Sequence, residues 1–401
     1  MNSQRMQILV INSGSSSIKY QVFAGAELNE RLAGRVERIG DERSRLEQTW
    51  TGRDGQDRRI ATEAAIADHR QGLERVFDAL AEASVRASEL DAVGHRVVHG
   101  GENYRAAVLV DADVERPIEQ LAPLAPLHNP AGLAGVRVVA GLLPGVPQVA
   151  VFDTALHQTM PPEAYLYAVP RDWYRRYGVR RYGFHGSSHR YVASLAAAYL
   201  GKSAESTSII SLHLGNGASA AAIRNGRSID TSMGMTPLEG LVMGTRGGDI
   251  DVSVPFFMHR AAGMDFDEIE AVLTSESGLA GLTGVSDMRD VVARCESGDD
   301  WARRAVMLYA YRVRKYIGAY LAVLGPVDAI VFTGGIGENN AAIRAACCEG
   351  MAHLGIELDA DANAAVAGGV CPVHKAGASP AILVIATNEE LQIAREVLEL
   401  L

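Results

Sequence analysis

The sequence predicts an α/β protein built from two related domains. Strand-like apolar runs alternate with segments of helical spacing along the chain. Its 401 residues suit two domains or one large one. Two segments also share a plan. "ILVINSGSSSIKYQVF" near the start and "SIISLHLGNGASAAAI" in the middle each place an apolar strand, a Gly/Ser/Asn turn and a second strand. Their identity is low, so the repeat is one of design. It predicts two domains facing one another across a cleft, with functional groups where strand ends and loops of both halves meet.

The elements follow in order. "MQILVINSG" and "IKYQVFAG" read as a hairpin, and "GLERVFDALAEA" has helical spacing. "LDAVGHRVVHGG" is a strand running into a Gly-terminated loop, and "VPQVAVFDTALH" is a buried strand ending at Asp153 and Thr154. "STSIISLHLGNGASAAAIRNGRSIDTSMG" is a second hairpin region, bending first at Gly-Asn-Gly and again at Arg-Asn-Gly-Arg. "DWARRAVMLYAYRVRKYIGAYLAVL" is a long helix. "VDAIVFTGGIGEN" is a strand, a Gly-rich turn and a helix start, and "SPAILVIATNEELQIAREVLELL" is a last strand with a closing helix.

Composition narrows the function. The formal net charge is −10 and the pI about 5.6, which argues against nucleic acid or an anionic membrane as partner. A phosphate-handling site would need a local basic pocket against that background. The four cysteines, Cys295, Cys347, Cys348 and Cys371, form no C-x-x-C pair, so neither a zinc site nor a disulfide framework is indicated. The first strand begins within about ten residues, without a signal-peptide pattern. No apolar run approaches the ~20 residues of a membrane span. A reducing cytoplasm is the expected location.

Several motifs carry chemistry. "NSGSSSIK" offers hydroxyls, a carboxamide and Lys19 on one tight turn, either a phosphate cradle or a Ser-rich surface turn. In "GHRVVHGG" Arg96 stands beside a Gly-rich loop, as an anion-binding fork or a surface ion pair. "RRYGFHGSSHRY" spaces His185 and His189 four apart but lacks the Glu of H-E-x-x-H. It reads as a turn entering a helix capped by Ser187 or Ser188, with His185 facing a phosphate or serving the fold. "MGTRGGDID" sets Arg246 among flexible glycines, able to bring a guanidinium onto a reacting group or to end as a solvated turn. In "FTGGIGEN", Gly334, Gly335 and Gly337 allow close backbone approach to a nucleotide, without the Rossmann spacing. "AAAYLGKS" ends like a Walker motif but follows a helical run, and reads as a helix C-terminus. Acidic Glu389 and Glu390 in "TNEEL" are explained by a helix dipole alone.

Taken together the chain resembles the acetokinase family, the acetate kinases. The resemblance runs in order through "LVINSGSSSIKY", "HRVVHGG", "PLAPLHNP", "VFDTALH", "RYGFHGSSH", "LHLGNGAS", "TPLEGLVMGTRGGDID", "FTGGIGEN" and "TNEEL". It implies the acetate and sugar kinase/Hsp70/actin superfold: two duplicated ribonuclease H-like (actin-like ATPase) domains around an interdomain cleft. The expected division is 1–153, completed by the C-terminal helix 386–401, and 154–385 as the nucleotide-binding domain. The implied reaction is reversible transfer of the ATP γ-phosphoryl to acetate, directly and in line with Mg2+ (or Mn2+). A propionate kinase is the nearest alternative, and a non-kinase actin/Hsp70-like ATPase a more distant one. A homodimer is implied, through the C-terminal domain.

The resemblance also implies roles. Arg96 and Arg246 match the arginines flanking the transferred phosphoryl, His185 the histidine that hydrogen-bonds it, and Asp153 an acidic residue for metal and substrate positioning. Val98, Leu127, Phe184 and Pro237 match the pocket for the acetate methyl, and His128 a further active-site histidine. Asn12, Ser15, Ser17 and Lys19 match the first phosphate turn; His213, Gly215, Asn216 and Gly217 lie on the second. Asp287, Arg289, Gly334, Gly335 and Gly337 match the nucleotide side, and Asn12 and Glu389 the metal side. Val98 is bulky enough to crowd a longer acid, favouring acetate over propionate. Gly247, Val252 and Ser187 depart from the family's usual Ser, Pro and Thr, beside the functional residues rather than at them.

Overall fold

The computed structural model of the protein describes residues 6–14, 16–52, 54–126 and 128–401. The chain divides into two compact units, residues 1–158 with 388–401 and residues 159–387. The sequence placed these divisions at 153/154 and 385/386. A short 3-10 turn, Ala155–Thr159, follows the last long strand of the first unit, and the division falls at its last residue.

The first unit is an eight-stranded sheet. Its strands are β1 (Gln7–Ser13), β2 (Ser17–Ala24), β3 (Asn29–Glu37), β4 (Ser44–Thr51), β5 (Asp57–Ala64), β6 (Ala92–Val97), β7 (Val108–Leu109) and β8 (Gln148–Phe152), in the order β5-β4-β3-β2-β1-β6-β8-β7. β1 runs antiparallel to β2 and parallel to β6, which runs parallel to β8. β1 is apolar on both faces because both are covered. Leu9 and Ile11 join one core with the helix His69–Glu82; Ile8 and Val10 join another with the closing helix Glu389–Leu400. That closing helix sits tightly on β6. A Cβ at Gly94 would lie 2.8 Å from Val397 and 2.9 Å from Ile393, so only glycine admits this approach.

The second unit is a six-stranded sheet of β9 (Ser208–Leu214), β10 (Ala218–Arg224), β11 (Arg227–Thr231), β12 (Ala329–Thr333), β13 (Val370–Pro372) and β14 (Ala381–Ile385), in the order β11-β10-β9-β12-β14-β13. β9, β12 and β14 are parallel, and β10, β11 and β13 join antiparallel. The turn from β10 to β11 puts Asn225 at φ 54° and Gly226 at φ 72°, the two left-handed residues a tight hairpin needs. The long helix is Asp300–Leu324, begun by Asp299, whose side chain accepts from the Trp301 and Ala302 N–H groups. Its buried stripe, Ala302, Ala305, Tyr309, Val313, Ile317, Tyr320 and Leu324, repeats every three or four residues and faces the core.

The two sheets are the same design. β3-β2-β1-β6-β8 and β11-β10-β9-β12-β14 each pair an antiparallel three-strand meander with two further parallel strands, and each closes on a short antiparallel edge strand. This is the duplicated α/β architecture of the actin-like ATPases. β4 and β5, absent from the sequence-predicted elements, extend the first sheet outward; β5 is exposed along nearly its whole length.

Candidate active site

In parallel α/β sheets, ligand groups gather beyond the carboxyl ends of the strands. In the first unit those ends carry Asn12 on β1, Arg96 on β6 and Asp153 just after β8. The Arg96 guanidinium donates from Nε to Asp153 Oδ1 at 2.9 Å and from Nη2 to Oδ2 at 2.6 Å. Its Nη1 donates to Asn12 Oδ1 at 3.2 Å, and Glu389 Oε2 lies 3.7 Å from its Nε. Asp153 is 1% exposed and the Arg96 side chain 18%. Burial alone would lower the Arg96 pKa, but Asp153 and then Glu389 outweigh it, and the guanidinium is held firmly charged. Burial pushes the Glu389 carboxyl up to about 7, against the pull of Arg96; Asp153 and Glu390 push the same way. Glu389 stands in the first turn of a helix capped by Asn388, whose side chain accepts from Leu391 N–H at 2.8 Å.

The turn between β1 and β2 is closed by Gly14 N–H donating to Ser17 C=O at 2.8 Å, and Lys19 on β2 pairs with Asn12 on β1. Lys19 is exposed and Ser17 half-buried. Val98 is buried just after β6, and His128 is the residue preceding the helix Asn129–Leu142. Ser15 and Leu127 lie outside the described residues.

The second unit assembles its own group. His185 precedes the helix Gly186–Tyr199 with φ 57°, a left-handed conformation rare for a non-glycine residue and typical of sites that hold local strain. The sequence placed the cap at Ser187 or Ser188. The structure corrects this: both serines lie buried inside the first turn, and Ser188 Oγ bonds instead to His213 Nδ1 and Thr387 Oγ1, each at 2.8 Å. The His185 and His213 rings stack at 4.2 Å.

Arg246 donates from Nη1 to Pro237 C=O at 2.7 Å, and burial lowers its pKa. Its loop, which the sequence set among flexible glycines, is tied by hydrogen bonds. Met243 N–H donates to Arg246 C=O, Gly244 N–H to Asn216 C=O and Ser277 N–H to Thr245 C=O, at 2.9–3.0 Å. Asp249 closes the base, accepting from Gly240 N–H at 2.9 Å and from Tyr316 Oη at 3.0 Å. Over Gly217 the side chains of Arg246 and His185 converge. A Cβ there would lie 3.4 Å from Arg246 Nη2 and 3.5 Å from His185 Nε2. Gly217 thus leaves open a small space bordered by a guanidinium and an imidazole, a ready anion cradle.

The Gly-rich segment lies at the carboxyl end of β12 and begins a helix, Gly334–Asn339. Glu338 Oε1 accepts from Gly334 N–H at 2.9 Å and from Thr387 N–H at 3.0 Å, tying this segment to the residues before Asn388. A Cβ on Gly335 would meet nothing within 4 Å, so its surface is open. Phe184 is buried beside His185. Asp287 begins the helix Met288–Glu296 and grips Arg289; that hydrogen bond, with the Arg289 N–H, holds its carboxyl down to about 2.

A family model of the acetokinase family matches residues 7–395. The chain belongs to the acetokinase family. It is 49% identical over 397 residues to an acetate kinase of Syntrophobacter fumaroxidans, covering 98% of this chain and 97% of that one. Thermotoga maritima acetate kinase is 48% identical, with 98% of each chain covered. The crystal structure of Porphyromonas gingivalis acetate kinase superposes with a TM-score of 0.90 at 41% identity, covering 98% of this chain and 99% of that one. That of a propionate kinase from Francisella tularensis superposes with a TM-score of 0.93 at 39% identity, covering 99% and 100%.

In this acetokinase, a divalent cation can be tested against the donors present. Asn12, Asp153 and Glu389 offer oxygen atoms only, the hard donor set that magnesium prefers. Among the described residues no three His, Cys, Asp or Glu side chains group to hold a metal ion. Both Asp153 oxygens and Asn12 Oδ1 already accept from Arg96, so these donors offer at most part of a metal's shell. No helix among the described residues is long and apolar enough to cross a membrane.

Sequence reading missed Ser219, Ser211, Glu338 and Asp249. Ser211 and Ser219 are small residues in apolar strands, Glu338 follows a glycine in the short helix Gly334–Asn339, and Asp249 follows one in a loop. None belongs to a generic motif, and each is revealed only by its partner.

Proposed function

We propose that the protein catalyses the reversible transfer of the ATP γ-phosphoryl to the carboxylate of acetate, giving acetyl phosphate and ADP. Family membership supports the reaction class, and one geometric observation carries the chemistry: Arg246 and His185 converge over Gly217. Phosphoryl transfer spreads charge over three equatorial oxygens of a loose transition state, so catalysis is positioning and charge stabilisation. Arg246 offers a fixed fork to those oxygens, and His185 Nε2 a second contact. Arg96, oriented by Asp153, presents its charge to the acetyl phosphate oxygens. An acetate carboxylate is already ionised at neutral pH, so no general base is required. Asn12 and Glu389 would hold magnesium, which supplies charge neutralisation at the β- and γ-oxygens when bound. Ser17, Lys19, His213, Gly215, Asn216 and the Gly334–Gly337 turn serve the nucleotide phosphates, and Asp287 and Arg289 its nucleoside.

Propionate is the second reading, favoured by the 0.93 TM-score of the propionate kinase. A panel of acetate, propionate, butyrate and hexoses, with ADP release followed, separates the readings. Acetate with the highest kcat/KM supports the proposal, propionate in first place replaces it, and ADP release independent of any acid refutes it.

We further propose a homodimer through the second unit and a cytoplasmic setting. Exposed apolar side chains there, Val252, Phe257, Phe266, Trp301, Met307 and Tyr311, each 55–72% exposed, support a second copy as the cover. Light scattering tests it, a monomeric mass being the contrary result. The free cysteines suit a reducing compartment.

A further inference from the structure

His185 is linked to a line of buried polar side chains that the reaction does not use. His185 Nδ1 bonds Ser219 Oγ at 2.9 Å, Ser219 Oγ bonds His189 Nε2 at 2.7 Å, and His189 Nδ1 bonds Ser211 Oγ at 2.8 Å. Ser211, Ser219 and His189 are each 0% exposed. The line is anchored in regular structure: Ser211 in β9, Ser219 in β10 opposite His213, and His189 in the helix that begins after His185.

Protons along such a line have two orders that leave the buried Ser219 O–H in use; if Ser219 accepted from both rings its own donor would be orphaned. In one, Ser211 donates to His189 Nδ1, His189 Nε2–H donates to Ser219, and Ser219 donates to His185 Nδ1, which leaves the His185 proton on Nε2. In the other every bond is reversed and the proton sits on Nδ1. Either order leaves one proton on the His189 ring, as both its nitrogens are paired with serine hydroxyls. The end of the line then decides. Among the described residues the Ser211 hydroxyl makes this hydrogen bond and no other. As an acceptor it would leave its own O–H buried and unused, whereas as a donor it leaves only a spare lone pair. An orphaned buried donor is the dearer choice.

We propose that Ser211, His189 and Ser219 are positioning residues that fix His185 as its Nε2–H tautomer, with that proton directed into the space bordered by Arg246 over Gly217. The inference rests on the role proposed above for His185. A histidine partner commonly sets the tautomer through its second nitrogen. An Nε2–H is a donor to a phosphoryl oxygen; an Nδ1–H tautomer would turn a lone pair toward it and repel it.

Histidine-ring 15N spectra of the ligand-free, full-length protein near neutral pH test this, with His185 identified by its loss in His185→Gln. The wild type should show His185 Nε2 protonated and Nδ1 unprotonated. A proton on Nδ1, or on both nitrogens, overturns the proposal without any relay variant having to fold. In Ser219→Ala the pattern should relax toward a tautomer average, and kcat should fall about 10-fold with KM for ATP changed less than about twofold. An unchanged His185 pattern in that variant also overturns it. Acetate-dependent acyl phosphate formation by the wild type is scored separately: its absence refutes the proposed function and leaves the ring spectra to speak for the tautomer alone.

Discussion

Arg96 holds Asp153 by a two-point ion pair, Nε to Oδ1 at 2.9 Å and Nη2 to Oδ2 at 2.6 Å, with the carboxylate 1% exposed. The pair fixes the plane of the guanidinium and leaves Nη1 toward Asn12. Asp153 therefore acts through Arg96. Removing one partner of a buried pair strands the other charge, at about 3 kcal/mol or more. Asp153→Ala should lower the unfolding free energy in urea by about that amount and depress kcat about 100-fold. A stability loss under about 0.5 kcal/mol would show that Arg96 finds another partner.

Gly217→Ala should be stable and nearly inactive. The added methyl would make ordinary contacts, 3.4 Å to Arg246 and 3.5 Å to His185, but it fills the space between them. The melting temperature should stay within about 2 °C while kcat/KM falls at least about 100-fold. Near-normal kcat/KM in a well-folded variant would mean that the cradle is not where the phosphoryl sits.

Glu389 makes stability depend on pH. Burial raises its carboxyl to about 7 in the fold, above the ordinary carboxyl value near 4.5. The folded state then binds more protons than the unfolded state between those values, so this group favours folding at low pH and the gain is lost as pH rises through about 7. In ligand-free protein the melting temperature should fall between about pH 5 and pH 8, and Glu389→Gln should flatten that decline. An identical slope in the variant would assign the dependence to other groups.

Val98 lies buried at the end of β6, beside the loop that follows Arg96. Room for one methylene is worth roughly 1–3 kcal/mol in discrimination. Val98→Ala should lower KM for propionate and shift the propionate/acetate kcat/KM ratio by about 10-fold. An unchanged ratio removes Val98 from the account of specificity.

Much of this fold is legible because its signals are local. The Asn225-Gly226 turn, the stripe of the helix Asp300–Leu324 and the apolar β1 each follow from a few neighbouring residues. β5 was not legible because an exposed strand lacks the apolar alternation that marks a covered face, and β4 because two of its three buried positions are the polar Ser44 and Gln48. Among the candidate residues, Arg96 in the first unit and His185 and Arg246 in the second stand out through their glycine-rich surroundings. Their supports do not. The Arg246 loop reads as flexible until Tyr316, 67 residues away, is seen on Asp249. The cap before Gly186 reads as a serine because the left-handed turn at His185 is imposed by tertiary contacts, and cap preferences describe extended backbone. Ser211 and Ser219 look like filler in apolar strands until His189 joins them.

The most direct test is hydroxamate trapping of acyl phosphate with ATP, magnesium and acetate, on wild type and Arg246→Ala. The account predicts an acetate-dependent signal from the wild type and a loss of about 100- to 1,000-fold in the variant, the effect of removing one preorganised donor. ATP consumption without trapped acyl phosphate, or a variant as active as wild type, would contradict it.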